Sequence, residues 1–346
     1  MFGGDRTHQG RSPYLGPATA TRKWRFPTTG QARSPAIGAD GTVYFGCEDG
    51  KIYAVDGESG SKKWEYTTDS GIFGMPAIGP DGTVYLGSSD GSFYALDGQT
   101  GAERWTFWAG YSIFDSPTLG ADGTVYFGTL WKDFFAVDGK TGQQKWVFTA
   151  KDMFKSSPAV GADGTVYVGN EDYNLYALDG ATGAKKWAHF VDQRYVSSSP
   201  AVAVDGTVYV GTCDAGPSDL LALGEGGLKL WGFAAGTCIG YSTPAIGSGG
   251  IIYFGSLDNK VYALHSNGFK YWDFPTGGGV DVMPTVSADE TVYVGSYDSK
   301  LYALDGWSGT KKWEFGTGSP VVTAVAIGAN GLLYVGTKNG LLAIGP

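Results

Sequence analysis

The side chains of this sequence that could carry out chemistry recur at related places. Asp115, Lys155 and Asp281 each stand two or three residues before a proline that opens a short apolar segment, and Arg33 does the same in an earlier copy. A carboxylate or an amine at such a place could serve as the general acid or base of a lyase or a hydrolase. Asp115 and Lys155 belong to neighbouring copies, so they could instead form an ordinary and weak ion pair on a solvated surface.

The histidines and cysteines of the chain do not form a recognisable metal or nucleophile motif. The three histidines occupy unrelated places, which argues against a zinc site. The cysteines, Cys47, Cys213 and Cys238, have no paired CxxC spacing. Cys213 and Cys238 fall in loops at the same end of one repeat. A disulfide between them is therefore geometrically feasible, and two free thiols are equally compatible with the sequence.

Composition favours a large all-β protein and argues against two classes of partner. The chain has 346 residues, of which 42% are hydrophobic, 14% are aromatic and 57 are glycine, a mixture that suits many short strands joined by tight turns. The net charge of -9 argues against binding to nucleic acid, because phosphate contacts need a basic surface. No apolar run approaches the roughly 20 residues of a membrane span. The opening "MFGGDRTHQG" lacks the basic and apolar regions of a signal peptide.

Tryptophan recurs along the chain at a nearly constant spacing. The positions are Trp24, Trp64, Trp105, Trp146, Trp187, Trp231, Trp272 and Trp313, separated by 40, 41, 41, 41, 44, 41 and 41 residues. Between them the sequence is close to "SPAIGADGTVYFGxxDGxxYALDGxTGxKKWxF". Its alternating apolar and β-branched segments predict four strands, with hairpin turns at "ADGT" and "DGxTG".

Four antiparallel strands in each period of about 40 residues predict one blade of a β-propeller. The last repeat ends at "LLAIGP" without a fourth strand, whereas "RKWRF" at residues 22–26 is a fourth strand with no blade before it. We therefore predict an all-β, eight-bladed propeller whose ring is closed by the N-terminal strand, which also removes exposed sheet edges. Residues 1–21 are expected to form a strap over the ring, with His8 at the surface or capping it. The predicted blades of this single domain lie near 34–66, 75–107, 116–148, 157–190, 199–233, 243–274 and 283–315, and the eighth combines 324–346 with 22–26.

The segment "AVDGESGSKKW" at residues 54–64 fits the pattern A-x-D-x-x-[ST]-G-x-x-x-W. The pattern recurs at 95–105, 136–146, 177–187 and 303–313, and in degenerate form at 222–231 and 263–272. It resembles the tryptophan-docking motif of the pyrroloquinoline-quinone (PQQ) repeat propellers, the quinoprotein-dehydrogenase-like family. The resemblance covers nearly the whole chain. It implies that each recurrent tryptophan lies on an outer strand and packs against the next blade.

The resemblance carries different functional implications for different members of the family. Quinoprotein dehydrogenases hold PQQ over a calcium ion, beside a disulfide between adjacent cysteines and a catalytic aspartate. This chain has no adjacent cysteines and resembles more closely the compact members, which include BamB-like outer-membrane assembly scaffolds and sensor domains attached to kinases. Those members bind proteins or ligands and do no chemistry. The resemblance implies an extracytoplasmic location and no cofactor, with PQQ and Ca²⁺ as the alternative.

The rim of the ring where the repeats diverge is the predicted binding site. The fourth-to-first and second-to-third connections should share this rim, while the near-invariant turns share the other. Its aromatic candidates are Phe73, Phe114, Tyr195 and Tyr241, and its charged candidates are Arg33, Asp115, Lys155 and Asp281. A mixed aromatic and polar lining of the channel mouth is typical of ligand sites. The alternative is a solvated rim with ordinary ion pairs.

One second-to-third loop departs from the others. Six of the eight loops carry an aspartate that can cap the turn, namely Asp49, Asp90, Asp172, Asp214, Asp258 and Asp298. The loop of the third blade carries Trp131 instead. Together with Trp108, Tyr111 and Phe114 it would concentrate aromatic side chains on one rim, which is typical of a contact surface.

We therefore predict a monomeric, non-enzymatic propeller that binds a protein, a peptide or a small molecule through its divergent rim and channel mouth. The first alternative is an enzyme that uses the channel mouth, either a PQQ-dependent oxidoreductase or a lyase or hydrolase. The second alternative is a repeat scaffold without a natural ligand, because the copies are similar enough for recent amplification or consensus design.

Overall fold

The computed structural model of the chain describes residues 6–191, 194–213 and 218–346. Within these ranges thirty-two strands form eight antiparallel sheets of four strands each. The N-terminal strand Thr21–Phe26 pairs antiparallel with the last strand, Gly340–Gly345, so the eighth sheet is built from both ends of the chain. The predicted eight-bladed propeller and its closure are confirmed.

In seven blades the four strands run in sequence order from the channel outward, and in the eighth the N-terminal strand is the outermost. The first strands are Ala36–Ile37, Ala77–Ile78, Thr118–Leu119, Ala159–Val160, Ala201–Val202, Ala245–Ile246, Thr285–Val286 and Ala326–Ile327. The second strands are Thr42–Gly46, Thr83–Gly87, Thr124–Gly128, Thr165–Gly169, Val208–Gly211, Ile252–Ser256, Thr291–Gly295 and Leu333–Thr337.

The third and fourth strands complete each blade toward the outside of the ring. The third strands are Lys51–Asp56, Ser92–Asp97, Asp133–Asp138, Asn174–Asp179, Ser218–Leu223, Lys260–Leu264, Lys300–Asp305 and Gly340–Gly345. The fourth strands are Lys62–Thr67, Glu103–Trp108, Gln144–Thr149, Lys185–Phe190, Lys229–Ala235, Lys270–Pro275, Lys311–Gly316 and, for the eighth blade, Thr21–Phe26. Two short 3-10 turns, Glu225–Gly227 and Ser248–Gly250, lie between strands. Across the described ranges no helix has the length and apolar character needed to cross a membrane.

The hydrophobic core lies between blades. One buried cluster combines Ile52 and Ala54 of the first blade with Val84 and Leu86 of the second, and the other clusters repeat this arrangement. The middle strands are buried on both faces, which explains their near-continuous apolar sequences. A single blade would expose both faces of its sheet to water, so the blades depend on their neighbours for stability.

At five of the eight junctions between blades, the recurrent tryptophan and a tyrosine of one blade donate to the same carbonyl oxygen of the next blade. Trp64 donates its indole N–H to the carbonyl oxygen of Gly98 at 2.8 Å, and Tyr44 donates its hydroxyl to the same oxygen at 2.9 Å. The Trp64 ring also covers Gly101, where a Cβ atom would lie 2.7 Å from the indole. The turn "DGxTG" therefore keeps its last glycine because the indole occupies the space of a side chain.

The N-terminal segment crosses the end of the channel that carries the hairpin turns. Carbonyl groups of this segment accept backbone hydrogen bonds from the first strands of four blades. The pairs are Arg6 with Val160, Thr7 with Val202, Gln9 with Ile246 and Gly10 with Val286. Further along, Pro17 accepts the indole N–H of Trp313 at 3.0 Å, because the eighth blade ends before the turn that would otherwise do so. Residues 1–5 of the predicted strap lie outside the described residues.

The position of His8 differs from the one that the sequence predicts. The sequence predicts a surface or capping residue, but His8 is fully buried between the first strands. Its Nε2 lies 3.0 Å from Oγ1 of Thr118, and its Nδ1 lies 3.2 Å from the carbonyl oxygen of Pro200. Burial disfavours the charged imidazolium and lowers the pKa of His8 to about 3.

The burial of His8 should make stability depend on pH. Because its folded pKa of about 3 lies below its unfolded value, protonation of the unfolded chain removes stability as the pH falls below about 6.5. Between pH 8 and pH 5 we expect this group to remove about 2 kcal/mol of the free energy of unfolding. Denaturant titrations of the wild type and His8→Gln check this. A difference between the two proteins that stays constant over this pH range would contradict it.

Candidate ligand-binding site

A cavity of about 530 Å³ occupies the channel at the end bounded by the fourth-to-first connections. A second cavity of about 180 Å³ lies toward the hairpin turns and is lined in part by residues 10–14 of the N-terminal segment. Met75, Met283 and Ala324 line both cavities. These three side chains therefore form the floor of the larger cavity, and the N-terminal segment lies below them.

Seven of the eleven predicted ligand-binding residues line this cavity. They are Arg33, Phe73, Phe114, Asp115, Lys155, Tyr241 and Asp281. The other four, Trp108, Tyr111, Trp131 and Tyr195, lie elsewhere on the rim. The seven cavity residues occupy equivalent positions in their own blades. The ring therefore brings them together around the channel axis.

Three planar groups from consecutive blades stack along one side of the cavity. The guanidinium carbon of Arg33 lies 4.6 Å from the centre of the Phe73 ring. The Phe73 and Phe114 rings are 4.3 Å apart and inclined by 23°. Arg33 also forms an ion pair with Glu48. Burial lowers the pKa of Arg33, and the charge of Glu48 opposes that shift. This stack provides a flat, largely apolar wall.

Lys155 has a different partner from the predicted one. Its Nζ forms an ion pair with Oε1 of Glu171 at 2.7 Å, and Asp115 is not within ion-pair distance. Burial alone would lower the pKa of Lys155, but the hydrogen bond to Glu171 and the negative charges nearby together outweigh it, and the pKa is raised. The amine is therefore held as an ammonium ion whose charge is already compensated.

Asp115 is left with an unsatisfied oxygen. Part of the residue faces the cavity, but its Oδ2 is inaccessible to solvent and has no hydrogen-bond partner. Burial raises the pKa of Asp115 to about 8, against the opposing charge of Lys155. A carboxyl group with such a perturbed pKa, placed in a cavity, is a candidate functional group.

Asp281 on the opposite side is well satisfied. Its Oδ1 accepts the backbone N–H of Tyr241 at 2.7 Å, and its Oδ2 accepts the hydroxyl of Tyr297 at 3.0 Å. Burial raises the pKa of Asp281 even though both hydrogen bonds favour the ionised form. Gly240 makes this contact possible, because it has a φ of +61° and a Cβ atom there would lie 2.0 Å from Oδ1 of Asp281.

Serine hydroxyls form a belt around the cavity just before the first strands. In each case a backbone N–H donates to the serine oxygen of the following blade. The bonds join Met75 to Ser116 at 2.9 Å, Ser116 to Ser157 at 3.0 Å, Ser157 to Ser199 at 2.9 Å and Ala324 to Ser34 at 3.0 Å. Each oxygen retains a second lone pair, so the belt offers acceptors to an occupant of the cavity.

Sequence reasoning missed the carboxylates that compensate the two cations. Glu48 and Glu171 occupy the same place, directly before the aspartate of the second-to-third loop. The eight copies show Glu48, Ser89, Leu130, Glu171, Cys213, Leu257, Tyr297 and Lys338 at this position. Leu130 and Tyr297 also line the cavity. The divergence of this position from blade to blade is the signal in the sequence that could have found them.

The loop with Trp131 forms a separate aromatic surface. The Trp131 and Tyr111 rings stack at 5.0 Å with an angle of 15°, and Trp108 is 67% exposed nearby on the same rim. In sibling loops the aspartate accepts the hydroxyl of a third-strand tyrosine, as Asp49 does from Tyr53 at 3.0 Å. The third blade has Phe at the tyrosine position, so replacement of the aspartate leaves no hydroxyl unpaired. Asp214 lies outside the described residues.

Tyr195 belongs to a third region of the rim. Its ring lies 5.3 Å from that of Tyr173, and its backbone pairs with Cys213. Cys213 is bonded to Cys238 in a disulfide, which the sequence leaves open. The described part of the chain also contains Cys47, which is free and buried. The disulfide joins a second-to-third loop to the connection that carries Tyr241 into the cavity.

The fold and the cavity define a class of protein: an eight-bladed propeller of PQQ-type repeats with a mixed aromatic and charged channel mouth. Residues 14–113, 100–223 and 216–346 each match the PQQ-repeat family model described as outer membrane protein assembly factor BamB. The chain belongs to this family. Among curated proteins none matches significantly.

Solved structures of BamB and of alcohol dehydrogenases share the fold. BamB from Moraxella catarrhalis has a TM-score of 0.77 and 20% identity over 94% of this chain and 99% of that one. A europium-containing methanol dehydrogenase has a TM-score of 0.80 and 14% identity over 99% and 90%. A quinohemoprotein alcohol dehydrogenase from Pseudomonas putida HK5 has a TM-score of 0.83 and 13% identity over 98% and 79%. At these identities the similarity establishes the fold alone.

The residues of the cavity do not fit the PQQ and calcium of the quinoprotein enzymes. PQQ carries several carboxylates, but Arg33 and Lys155 already neutralise Glu48 and Glu171. An anion would also lie beside the buried carboxyl of Asp115. Within the described residues no group of three or more His, Cys, Asp or Glu side chains is placed to hold a metal ion. The disulfide joins cysteines that are 25 residues apart, not adjacent ones.

Gly240 should be required for the geometry around Asp281. Gly240→Ala would add left-handed backbone strain of about 1 kcal/mol and also displace the carboxylate. Gly123→Ala is a matched control, because Gly123 has a φ of +81° and a Cβ atom added there would meet no other atom within 4 Å. We expect Gly240→Ala to reduce the free energy of unfolding by clearly more than Gly123→Ala, measured by urea titration. Equal losses would contradict the contact.

Asp115 should make the protein less stable as the pH rises. Its pKa is about 8 in the folded state and near 4 in an unfolded chain, so ionisation penalises folding progressively between these values. Relative to the wild type, Asp115→Asn should gain stability over this range by up to about 1.4 kcal/mol per pH unit and level off above pH 8.

Urea titrations between pH 4 and pH 9 measure this gain. The control is Asp69→Asn, which removes an exposed carboxylate from the same rim. At pH 7 Asp115→Asn should gain clearly more stability than Asp69→Asn. An equal gain in the two variants would show that the carboxyl of Asp115 is not held in its neutral form.

Proposed function

We propose that this protein is a non-enzymatic, monomeric binding propeller that takes a small molecule or the end of a peptide into its channel-mouth cavity. The observation that carries the proposal is the lining of that cavity. A volume of about 530 Å³ suits a compact ligand. A flat wall of stacked rings faces polar groups that could fix the orientation of an occupant, and such a combination is typical of ligand sites.

The arrangement of the charged groups supports binding over catalysis. Lys155 and Arg33 are each neutralised by a glutamate, and Asp281 accepts two hydrogen bonds. A general base must be ionised and within reach of the reacting proton. Burial raises the pKa of both carboxyl candidates, and the pKa of Asp115, about 8, keeps that group protonated at neutral pH.

Membership in the BamB family supports a protein as the natural partner. The family model is described as an assembly factor, and such a role requires protein contacts. The exposed surface of Trp108, Tyr111 and Trp131 adjoins the cavity rim and could contact the body of a partner whose end enters the cavity. The disulfide between Cys213 and Cys238 supports an extracytoplasmic location, because disulfides persist in oxidising compartments.

A ligand screen tests this proposal. Wild-type protein is screened by thermal shift against a library of small aromatic acids, amines, alcohols and short peptides. Compounds that raise the melting temperature are then titrated into Phe114→Ala. Loss of the stacked wall should weaken their binding about tenfold.

Phe190→Ala is the matched control, because Phe190 is an exposed phenylalanine on the outer strand of the fourth blade. It should leave the binding unchanged. Equal binding to all three proteins would place the compounds outside the cavity and count against the proposal. If the wild type converts a bound compound chemically and Asp115→Asn does not, the protein is an enzyme and the proposed non-enzymatic function is wrong.

A further inference from the structure

One buried acceptor of the cavity has no donor from the protein. Oδ2 of Asp115 is inaccessible to solvent and unpaired, while the residue itself lines the cavity. Most buried polar atoms in native proteins have a hydrogen-bond partner, so an exception requires an explanation. Rotation of the Asp115 side chain toward the cavity would expose this oxygen to a donor from an occupant.

The charged groups around Asp115 compensate each other and leave the charge of its carboxylate without a partner. Lys155 attracts its negative charge, whereas Glu171 repels it, and these two side chains are bonded to each other at 2.7 Å. The hydroxyl of Tyr241 interacts with the same three groups from across the cavity. A cationic ligand would therefore neutralise the charge of the Asp115 carboxylate, and an anionic ligand would not.

Asp281 provides the contrast within the same cavity. It is also a buried carboxylate, but the backbone N–H of Tyr241 and the hydroxyl of Tyr297 satisfy it. A hydrogen-bond donor is therefore missing on the side of the cavity next to Asp115. Phe114 precedes Asp115 in the chain and forms the end of the stacked wall on this side.

We propose that the cavity recognises a primary ammonium group joined to an aromatic ring, an inference that rests on the proposed binding function. Rotation of the Asp115 side chain brings its carboxylate to the cavity, where the ammonium donates to it, and the remaining N–H groups find acceptors in the oxygens of Ser116 and Ser157. The ring packs against the wall formed by Phe73 and Phe114. A free amine and the N-terminus of a peptide that begins with an aromatic residue share this chemistry.

Binding of this kind should release a proton. The carboxyl of Asp115 is largely protonated at neutral pH, because burial raises its pKa to about 8. An arriving ammonium ion stabilises the carboxylate, so the carboxyl proton passes to the solvent while the ligand keeps all three of its own. Up to one proton leaves per ligand bound near pH 7, and almost none leaves at pH 9.

The test uses three compounds of matched shape: 2-phenylethylamine, 2-phenylethanol and 3-phenylpropanoate. Isothermal titration into the full chain at pH 7, in buffers of different ionisation enthalpy, gives both affinity and proton release. We expect the amine to bind at least tenfold more tightly than the alcohol or the acid and to release a proton. Asp115→Asn should weaken amine binding about 10- to 100-fold and leave alcohol binding unchanged.

Asp69→Asn removes a carboxylate from the same rim outside the cavity and should keep the full preference for the amine. Phe-Ala-Ala and its N-acetylated form then distinguish a peptide N-terminus from a free amine. The inference is overturned if the alcohol or the acid binds as well as the amine, if Asp115→Asn keeps the preference, or if none of the compounds binds. In each case the library screen decides the proposed binding function separately, because it includes ligands without an amine.

Discussion

The ring depends on contacts between neighbouring blades, and one of them recurs at five of the eight junctions. There an indole N–H and a phenol O–H of one blade donate to a single carbonyl oxygen of the next, as Trp64 and Tyr44 do at Gly98. The same contact crosses the seam, where Trp24 and Tyr334 donate to Gly57. Because the buried clusters also lie between blades, no blade has a core of its own and each depends on its neighbours.

This contact restricts the residues of one rim and leaves the residues of the other rim free to vary. The turn that offers the carbonyl must keep its last glycine, since the indole of the preceding blade lies where a side chain would project. The connections at the opposite rim take no part in the contact, so their residues can change from blade to blade without loss of the fold. The cavity and its charged groups are built there, and the N-terminal segment occupies the other end of the channel.

The fold alone does not decide what this chain does. BamB and two alcohol dehydrogenases share its architecture at 13 to 20% identity. At the channel mouth of this chain two cations are neutralised by glutamates and one carboxyl is buried without a donor. Function must therefore be argued from these side chains and not from the fold.

The sequence by itself determined the number of blades, the closing strand and the position of seven residues that line the cavity. It could do so because the repeat has a fixed register, which places equivalent residues such as Phe73 and Phe114 at equivalent points around the axis. Only the tertiary structure decided that His8 is buried, that Lys155 pairs with Glu171 and not with Asp115, and that Cys213 is bonded to Cys238. These contacts join segments from different blades or loops, and the distances between such segments depend on packing that no local pattern encodes.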